Sequence, residues 1–180
     1  MDICKNIEDY GDFKIIRNVI SNDEIQSVIN FWNSFNSFIE IDRNGWDTTS
    51  KSITRINAPY RVVDIVGIQK NDLPFLSDIF SKCFGCILTN FILEFPHYFT
   101  HYPLGGKHTK HKDFIPSFNR EWVMTLMLND NFKGGELIIN DVITPKEKGM
   151  AILYKGSLFH EVTPVLFGER FVVTECAGKN

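Results

Sequence analysis

No apolar run in this chain approaches the roughly 20 residues that a helix needs to cross a bilayer, so a helical membrane span is excluded. Neither sign of charge dominates. The 19 Lys and Arg residues face 22 Asp and Glu, a net charge of −3, and such a balance exerts no global pull on nucleic acid or an anionic membrane. Cysteine is sparse, at four residues, too few for a scaffold built on disulfides. The opening residues, MDICKNIEDYGDF, place acids where a secretory signal needs a basic and then an apolar stretch. A cytoplasmic protein is expected.

What the chain has is material for a core. It is 43% hydrophobic over 180 residues, with 16 Phe, which suits one globular domain over residues 1–180 rather than a disordered chain. Residues 13–20 are rich in strand formers. Ser21-Asn22-Asp23-Glu24 then reads as a capping box, and Ile25, Val28, Ile29 and Trp32 follow at helical spacing, giving a helix over about 22–36. A second helix is expected from Asp72 as cap, with Pro74 in its first turn. Its apolar stripe runs through Leu76, Ile79, Phe80, Cys83, Ile87, Leu88 and Phe91. Cys83 and Cys86 form a lone CxxC on this stripe, and buried thiols are the expected state. The polar segment 41–64 between the helices reads either as a lid, with Trp46, Arg55 and Tyr60 as candidate substrate contacts, or as a surface excursion ending in a strand at Arg61–Ile68.

From Phe95 the texture changes. PHYFTHY, WVMTLML, GELIIN, MAILYKG, FHEVTPV and RFVVTEC follow one another between Gly, Pro, Asn and Asp. Such punctuation suits the strands of an antiparallel barrel or jelly roll. Helices over about 1–94 and strands over about 95–180 make the class α+β, with the helices buttressing one face of the strands.

Two of the five histidines lie within HTKHKDF, residues 108–114. On a strand, His111 and Asp113 share a face and can reach one ion. His108 and His111, three apart, would point to opposite faces, which leaves His108 at the rim or in solvent. His160 is the one histidine beyond this motif. Two imidazoles and a carboxylate are the facial set of non-haem Fe(II) oxygenases, in which one face of the ion stays open for substrates. His97 and His101, on the preceding strand, read as structural.

Residues 95–176 resemble the prolyl 4-hydroxylase-like branch of the 2-oxoglutarate/Fe(II) dioxygenases, especially its PKHD-type hydroxylases. The likeness is carried by Tyr102 nine residues before His111, the HxD itself, WVMTLMLND with GGELII, GMAILY, and FHEVTPVLFGERF. It implies a double-stranded β-helix with His111, Asp113 and His160 on Fe(II), and with these three as the catalytic residues. It also implies that Arg170 pairs with the distal carboxylate of 2-oxoglutarate, a role suited to a planar, permanently charged fork. Tyr102 and Thr125 match positions that add hydroxyl hydrogen bonds to that carboxylate. The implied reaction hydroxylates a substrate C–H bond with dioxygen as co-substrate and ascorbate as reductant, releasing succinate and CO2.

The resemblance favours a peptide or protein substrate, a prolyl residue first. A free amino acid or other small molecule, and a non-catalytic cupin-like module, are the alternatives. RFVVTECAGKN supplies no second arginine near Arg170, which speaks against the nucleic-acid branch of the superfamily. Lys107, Lys110, Lys112, Arg120 and Lys133 read as a solvated basic face. The oligomeric state is left open.

Overall fold

A computed structural model of the chain describes residues 3–36, 38–41, 52–114 and 120–179. A short 3-10 helix, Ile3–Asn6, precedes a hairpin of β1 (Ile7–Asp9) and β2 (Phe13–Ile16), and α1 (Asn22–Asn33) follows. The capping box forms as expected. The Ser21 hydroxyl accepts from the Glu24 N–H, and the Glu24 carboxylate accepts from the Ser21 N–H. The helix stops three residues short of the expected end, where the Ser34 hydroxyl donates to the Phe31 carbonyl.

β3 (Phe38–Ile41) runs parallel to β4 (Ile53–Ala58), which turns back into β5 (Arg61–Ile68). The described part of the expected lid, 52–64, is therefore a hydrogen-bonded hairpin, because Ile53, Ile56, Val63 and Ile65 are core residues. Arg55 is held by Asp64 at 2.6 Å, and the Tyr60 carbonyl accepts from the Thr109 N–H. Trp46 lies outside the described residues.

α2 (Pro74–Gly85) has Pro74 at its first turn, but Asp72 does not cap it: the Asp72 carboxylate accepts from the Gln69 N–H and Leu73 takes the cap position. The helix ends at Gly85, and Asn90, at φ +56, helps turn the chain into β6 (Phe91–Leu93), so Phe91 belongs to a strand and not to the helical stripe. Cys86 is not a buried thiol. It is disulfide-bonded to Cys4, tying the 3-10 helix to the end of α2, while Cys83 and Cys176 are free and buried.

The remaining strands are β7 (His97–Tyr102), β8 (Lys107–His111), β9 (Trp122–Met127), β10 (Lys133–Gly134), β11 (Leu137–Ile139), β12 (Val142–Ile143), β13 (Ala151–Lys155), β14 (His160–Val162), β15 (Val165–Phe167) and β16 (Arg170–Lys179). In hydrogen-bonded order they run β1-β2-β13-β9-β16-β7-β5-β8-β14-β11-β12, with β4 on β5, β3 on β4 and β6 on β16, and a separate β10-β15 pair. The segment before residue 95, expected to be chiefly helical, thus also contributes strands, and β5 joins β7 to β8 within the curled sheet.

This is a jelly roll with two helices on one outer face. Its interior collects residues from both halves of the curl: Val123, Ile152 and Val172 meet Ile139 and Val162. The alternate residues Met124, Leu126, Leu153 and Val173 face outward onto Val28, Leu76, Phe80 and Phe84. Strands covered on both faces read as unbroken apolar runs, which is why WVMTLML shows no alternation. Phe80 and Phe84 are fully buried, and each such ring contributes about 1.5–3 kcal/mol through removal from water. Period two along β16 therefore sorts functions. Arg170, Val172, Thr174 and Cys176 line the interior cavity, and Glu175 between them faces the helices.

Candidate metal and 2-oxoglutarate site

β8 and β14 pair antiparallel with His160 opposite His111 and Val162 opposite His108. Three steps along β8 match two along β14, so β8 carries a bulge. The extra residue turns His108 to the same side as His111, and their rings stack with centroids 3.6 Å apart. Strict alternation, which sent His108 to the other face, fails here; His108 lines the cavity. Asp113 lies two residues past the end of β8, so strand periodicity does not position it. The Gly156 carbonyl does, accepting from both Asp113 N–H (3.0 Å) and Phe114 N–H (2.9 Å). A Cβ on Gly156 would press on the Arg120 carbonyl at 3.2 Å, so glycine lets three chain segments approach closely here.

His111 Nε2 is 3.4 Å from one Asp113 oxygen and His160 Nε2 is 3.2 Å from the other. The opposite ring nitrogens are committed: Nδ1 of His111 donates to the Thr109 carbonyl at 2.7 Å, and Nδ1 of His160 to the Leu158 carbonyl at 3.2 Å. A carbonyl can only accept, so each Nδ1 carries its proton and each Nε2 turns a lone pair toward Asp113. The three ligand atoms lie within 4.8 Å of one another. Burial acts to raise the Asp113 pKa, but either Nε2, when it carries a proton in place of a cation, donates to the carboxylate, and these hydrogen bonds outweigh burial and hold the carboxyl well below its usual range. Three converging electron-pair donors of this kind can hold a divalent cation, and two imidazoles with one carboxylate suit Fe(II).

The same cavity, about 690 Å³ counted to its open mouth, is lined by Tyr102, Thr125 and Arg170. Arg170 is 1% exposed. Burial lowers its pKa while neighbouring Tyr102 offsets part of the effect, and a guanidinium remains charged even there. Its Nε and Nη1 are buried without a protein partner, while Nη2 has the Met127 sulfur at 3.9 Å and the Tyr102 side chain interacts with the guanidinium. A buried cation with orphaned donors costs several kcal/mol unless an anion completes it, so the position fits a ligand carboxylate. Tyr102 lies under the guanidinium, 4.7 Å from its carbon to the ring centroid. Gly135 secures the approach: at φ +63, a Cβ there would meet Phe132 at 3.2 Å and Arg170 Cδ at 3.3 Å. Thr125 is hydrogen-bonded with the Tyr154 phenol, and Tyr154 packs 4.9 Å from the His160 ring.

Several residues sort differently from their appearance in sequence. Arg120, grouped there with solvated lysines, is 14% exposed, paired with Glu94 at 2.5 Å, and part of the cavity wall. His97 and His101 face away from the cavity, as expected of structural residues, bonded to Glu175 and Asp64. Arg61 and Tyr154 are among the lining residues that the sequence reading did not single out. Tyr154 had no local signal, but Arg61 precedes Val63 and Ile65 at a spacing of two, which was enough to place it on the inner face.

A cluster that can hold a cation inside a jelly roll, with a buried arginine in the same cavity, is the arrangement that suits non-haem iron oxygenases taking a keto-acid co-substrate. Residues 97–175 match the family model described as the 2OG-Fe(II) oxygenase superfamily. No curated protein sequence matched the chain. Among solved structures, a Trichoplax adhaerens prolyl hydroxylase in complex with a hypoxia inducible factor oxygen degradation domain peptide fragment is similar over 99% of this chain and 88% of its own. The TM-score is 0.73 at 19% identity. A Pseudomonas putida prolyl-4-hydroxylase aligns over 94% and 93%, TM-score 0.67, at 16% identity. The viral collagen prolyl hydroxylase of Paramecium Bursaria Chlorella virus-1, solved as a 2OG complex, aligns over 95% and 98%, TM-score 0.64, at 12% identity. Residues 97–175 are thus similar to the 2-oxoglutarate/Fe(II) oxygenases, and the chain shares the fold of these prolyl hydroxylases.

Proposed function

We propose that this chain hydroxylates a peptidyl residue, proline first, consuming 2-oxoglutarate and dioxygen and releasing succinate and CO2. The observation that carries the reading is the convergence of His111, Asp113 and His160 with the partnerless donors of Arg170 in one cavity. The peptide preference is supported by the Trichoplax enzyme, which holds a peptide on a fold aligned with nearly all of this chain.

Fe(II) with 2-oxoglutarate, when bound, supplies the oxidising chemistry. The protein supplies geometry. His111 and His160 bind through Nε2 because their Nδ1 protons are engaged by backbone carbonyls, and Asp113 binds as the carboxylate because its proton is lost well below neutral pH. Arg170 takes the distal carboxylate of the keto acid and fixes its orientation. Ile65, Leu137 and Val172 wall the cavity with apolar surface that excludes water. Ascorbate is proposed as the reductant that keeps the iron ferrous.

The test is to load the protein with Fe(II) and 2-oxoglutarate under anaerobic conditions, admit oxygen with a proline-peptide array, and follow succinate and the mass gain of one oxygen atom. Succinate formed with a peptide carrying the added oxygen is the expected result. A protein that binds neither Fe(II) nor 2-oxoglutarate sinks the reading.

A further inference from the structure

Tyr154 lines the cavity without belonging to the cation cluster. Its side chain is buried on the inner face of β13. In the ladder between β13 and β9, Ile152 stands opposite Thr125 and Tyr154 opposite Val123. The ring therefore meets Thr125 as a diagonal neighbour, a separation that an aromatic side chain can span. The two hydroxyls are hydrogen-bonded. Such a pair uses one of its two protons, because one O–H donates while the other oxygen accepts. Burial pushes the Tyr154 pKa up and the Thr125 bond acts to lower it, as donation by Thr125 to the phenol oxygen does. The phenol proton is then the one left over, and among the described residues no other side chain bonds to it. A buried donor without an acceptor is costly, so the position fits a guest oxygen.

Place along the cavity identifies that oxygen. The Tyr154 ring packs against His160, 4.9 Å between centroids, so the phenol stands beside the cation cluster. Thr125 pairs with Thr174 on β16, whereas Met127, whose sulfur meets the Arg170 guanidinium, pairs with Val172. The two levels are one inward-facing step apart, two residues or about 6.6 Å. A five-carbon keto acid is about 5 Å from end to end, given carbon–carbon bonds of about 1.5 Å. With its distal carboxylate on Arg170, its other end lies within reach of the phenol and the cluster together.

We propose that the Tyr154 hydroxyl, oriented by Thr125, donates a hydrogen bond to the cation-chelating end of 2-oxoglutarate. The proposal rests on the hydroxylase reading and adds a residue to its co-substrate contacts. Under it Thr125 is a positioning residue that acts through Tyr154 rather than on the distal carboxylate.

Tyr154→Phe tests it, since it removes the hydroxyl and keeps the ring against His160. The whole chain is titrated with Fe(II) and then, without oxygen, with 2-oxoglutarate, read by the visible charge-transfer band of the chelate. Fe(II) affinity should be unchanged, because no member of the cation cluster is altered. Affinity for 2-oxoglutarate should fall about ten- to a hundredfold, the scale of a hydrogen bond to a charged group. The band maximum should move to shorter wavelength, because a donor at the chelating end lowers the energy of the ligand orbital that accepts the charge. Thr125→Val, which leaves the phenol without its orienting partner, should give a smaller loss of the same kind. Should Tyr154→Phe fail a thermal-melting check, Thr125→Val decides by the same two readouts. The proposal is overturned if Tyr154→Phe binds 2-oxoglutarate as the parent does. It is also overturned if the variant loses Fe(II), which would make Tyr154 a structural support of the cluster. Weaker binding with an unmoved band overturns it too, because the hydroxyl would then serve the distal carboxylate. A parent protein that loads neither iron nor keto acid overturns the hydroxylase reading itself; one that loads both, with Tyr154→Phe unchanged, overturns only the role of Tyr154.

Discussion

The ring of His108 lies flat against that of His111, 3.6 Å between centroids and 30° between planes, yet only His111 belongs to the cation cluster. Burial, and then the charge of Arg61, push the His108 pKa down to about 2, so it stays a neutral packing surface for its neighbour at working pH. His111→Ala, Asp113→Ala or His160→Ala removes one of three donors and should abolish measurable Fe(II) or Mn(II) binding in a titration. His108→Ala removes packing and no donor. Its affinity should fall by less than about tenfold, below the usual range for loss of a partner that hydrogen-bonds a ligand.

Arg170→Ala should weaken 2-oxoglutarate by roughly a hundred- to several-thousand-fold. Leaving a buried carboxylate without its partner costs on the order of 3–5 kcal/mol, and 1.4 kcal/mol is a factor of about ten. Fe(II) binding should persist, since Arg170 is not in the cation cluster. Arg170→Lys should restore part of the affinity by keeping charge without the fork. The visible charge-transfer band of the ferrous keto-acid complex, titrated without oxygen, measures all three proteins. Parent-like affinity in Arg170→Ala would show that this chain holds its keto acid elsewhere.

His97 and Glu175 are hydrogen-bonded to each other with both side chains fully buried, on the helix side of the sheet. Burial pushes Glu175 up to about 10 and His97 down to about 4, from ordinary values of 4.5 and 6.5. Between pH 4.5 and 6.5 the folded and unfolded pairs each hold one proton, so this pair adds no pH dependence. Above pH 6.5 the unfolded pair holds none and the folded pair still holds one, so stability falls as pH rises toward 10. Thermal melts from pH 6 to 9 should show this decline, and Glu175→Gln, which keeps an amide hydrogen bond without a titrating proton, should flatten it. An equal slope in both proteins would remove the pair as the cause.

The Cys4–Cys86 disulfide closes a loop spanning 82 positions. Cross-links of this span typically add about 2–4 kcal/mol by restricting the unfolded chain. For a domain of this size that corresponds to roughly 5–15 °C in Tm. Cys4→Ser should lower Tm by this amount, and dithiothreitol should bring the parent to the same value without further effect on the variant. Neither change should alter Fe(II) affinity, because the bridge lies among the outer elements and not at the cation cluster.

Much of this protein was written in local pattern. Ser21 and Glu24 specify a helix start within four residues, because capping is a contact between near neighbours. His111 and Asp113, with His160 and Arg170 on later segments, carried the resemblance that pointed to iron and a keto acid, because its motifs are short and lie in a fixed order along the chain. What sequence alone could not settle were choices made between segments. The bulge against β14 turned His108 toward its neighbour, and the Gly156 carbonyl, in the turn after β13, positioned Asp113 where no strand continued. Cys86 found Cys4 across 82 positions and His97 found Glu175 across 78, separations at which no periodicity survives. Arg61 lies between these cases: spacing of two placed it on the inner face of its strand, but only the closure of the sheet made that face the wall of a reaction cavity. Local rules name the groups a chain offers, whereas long-range strand pairing decides which of them meet.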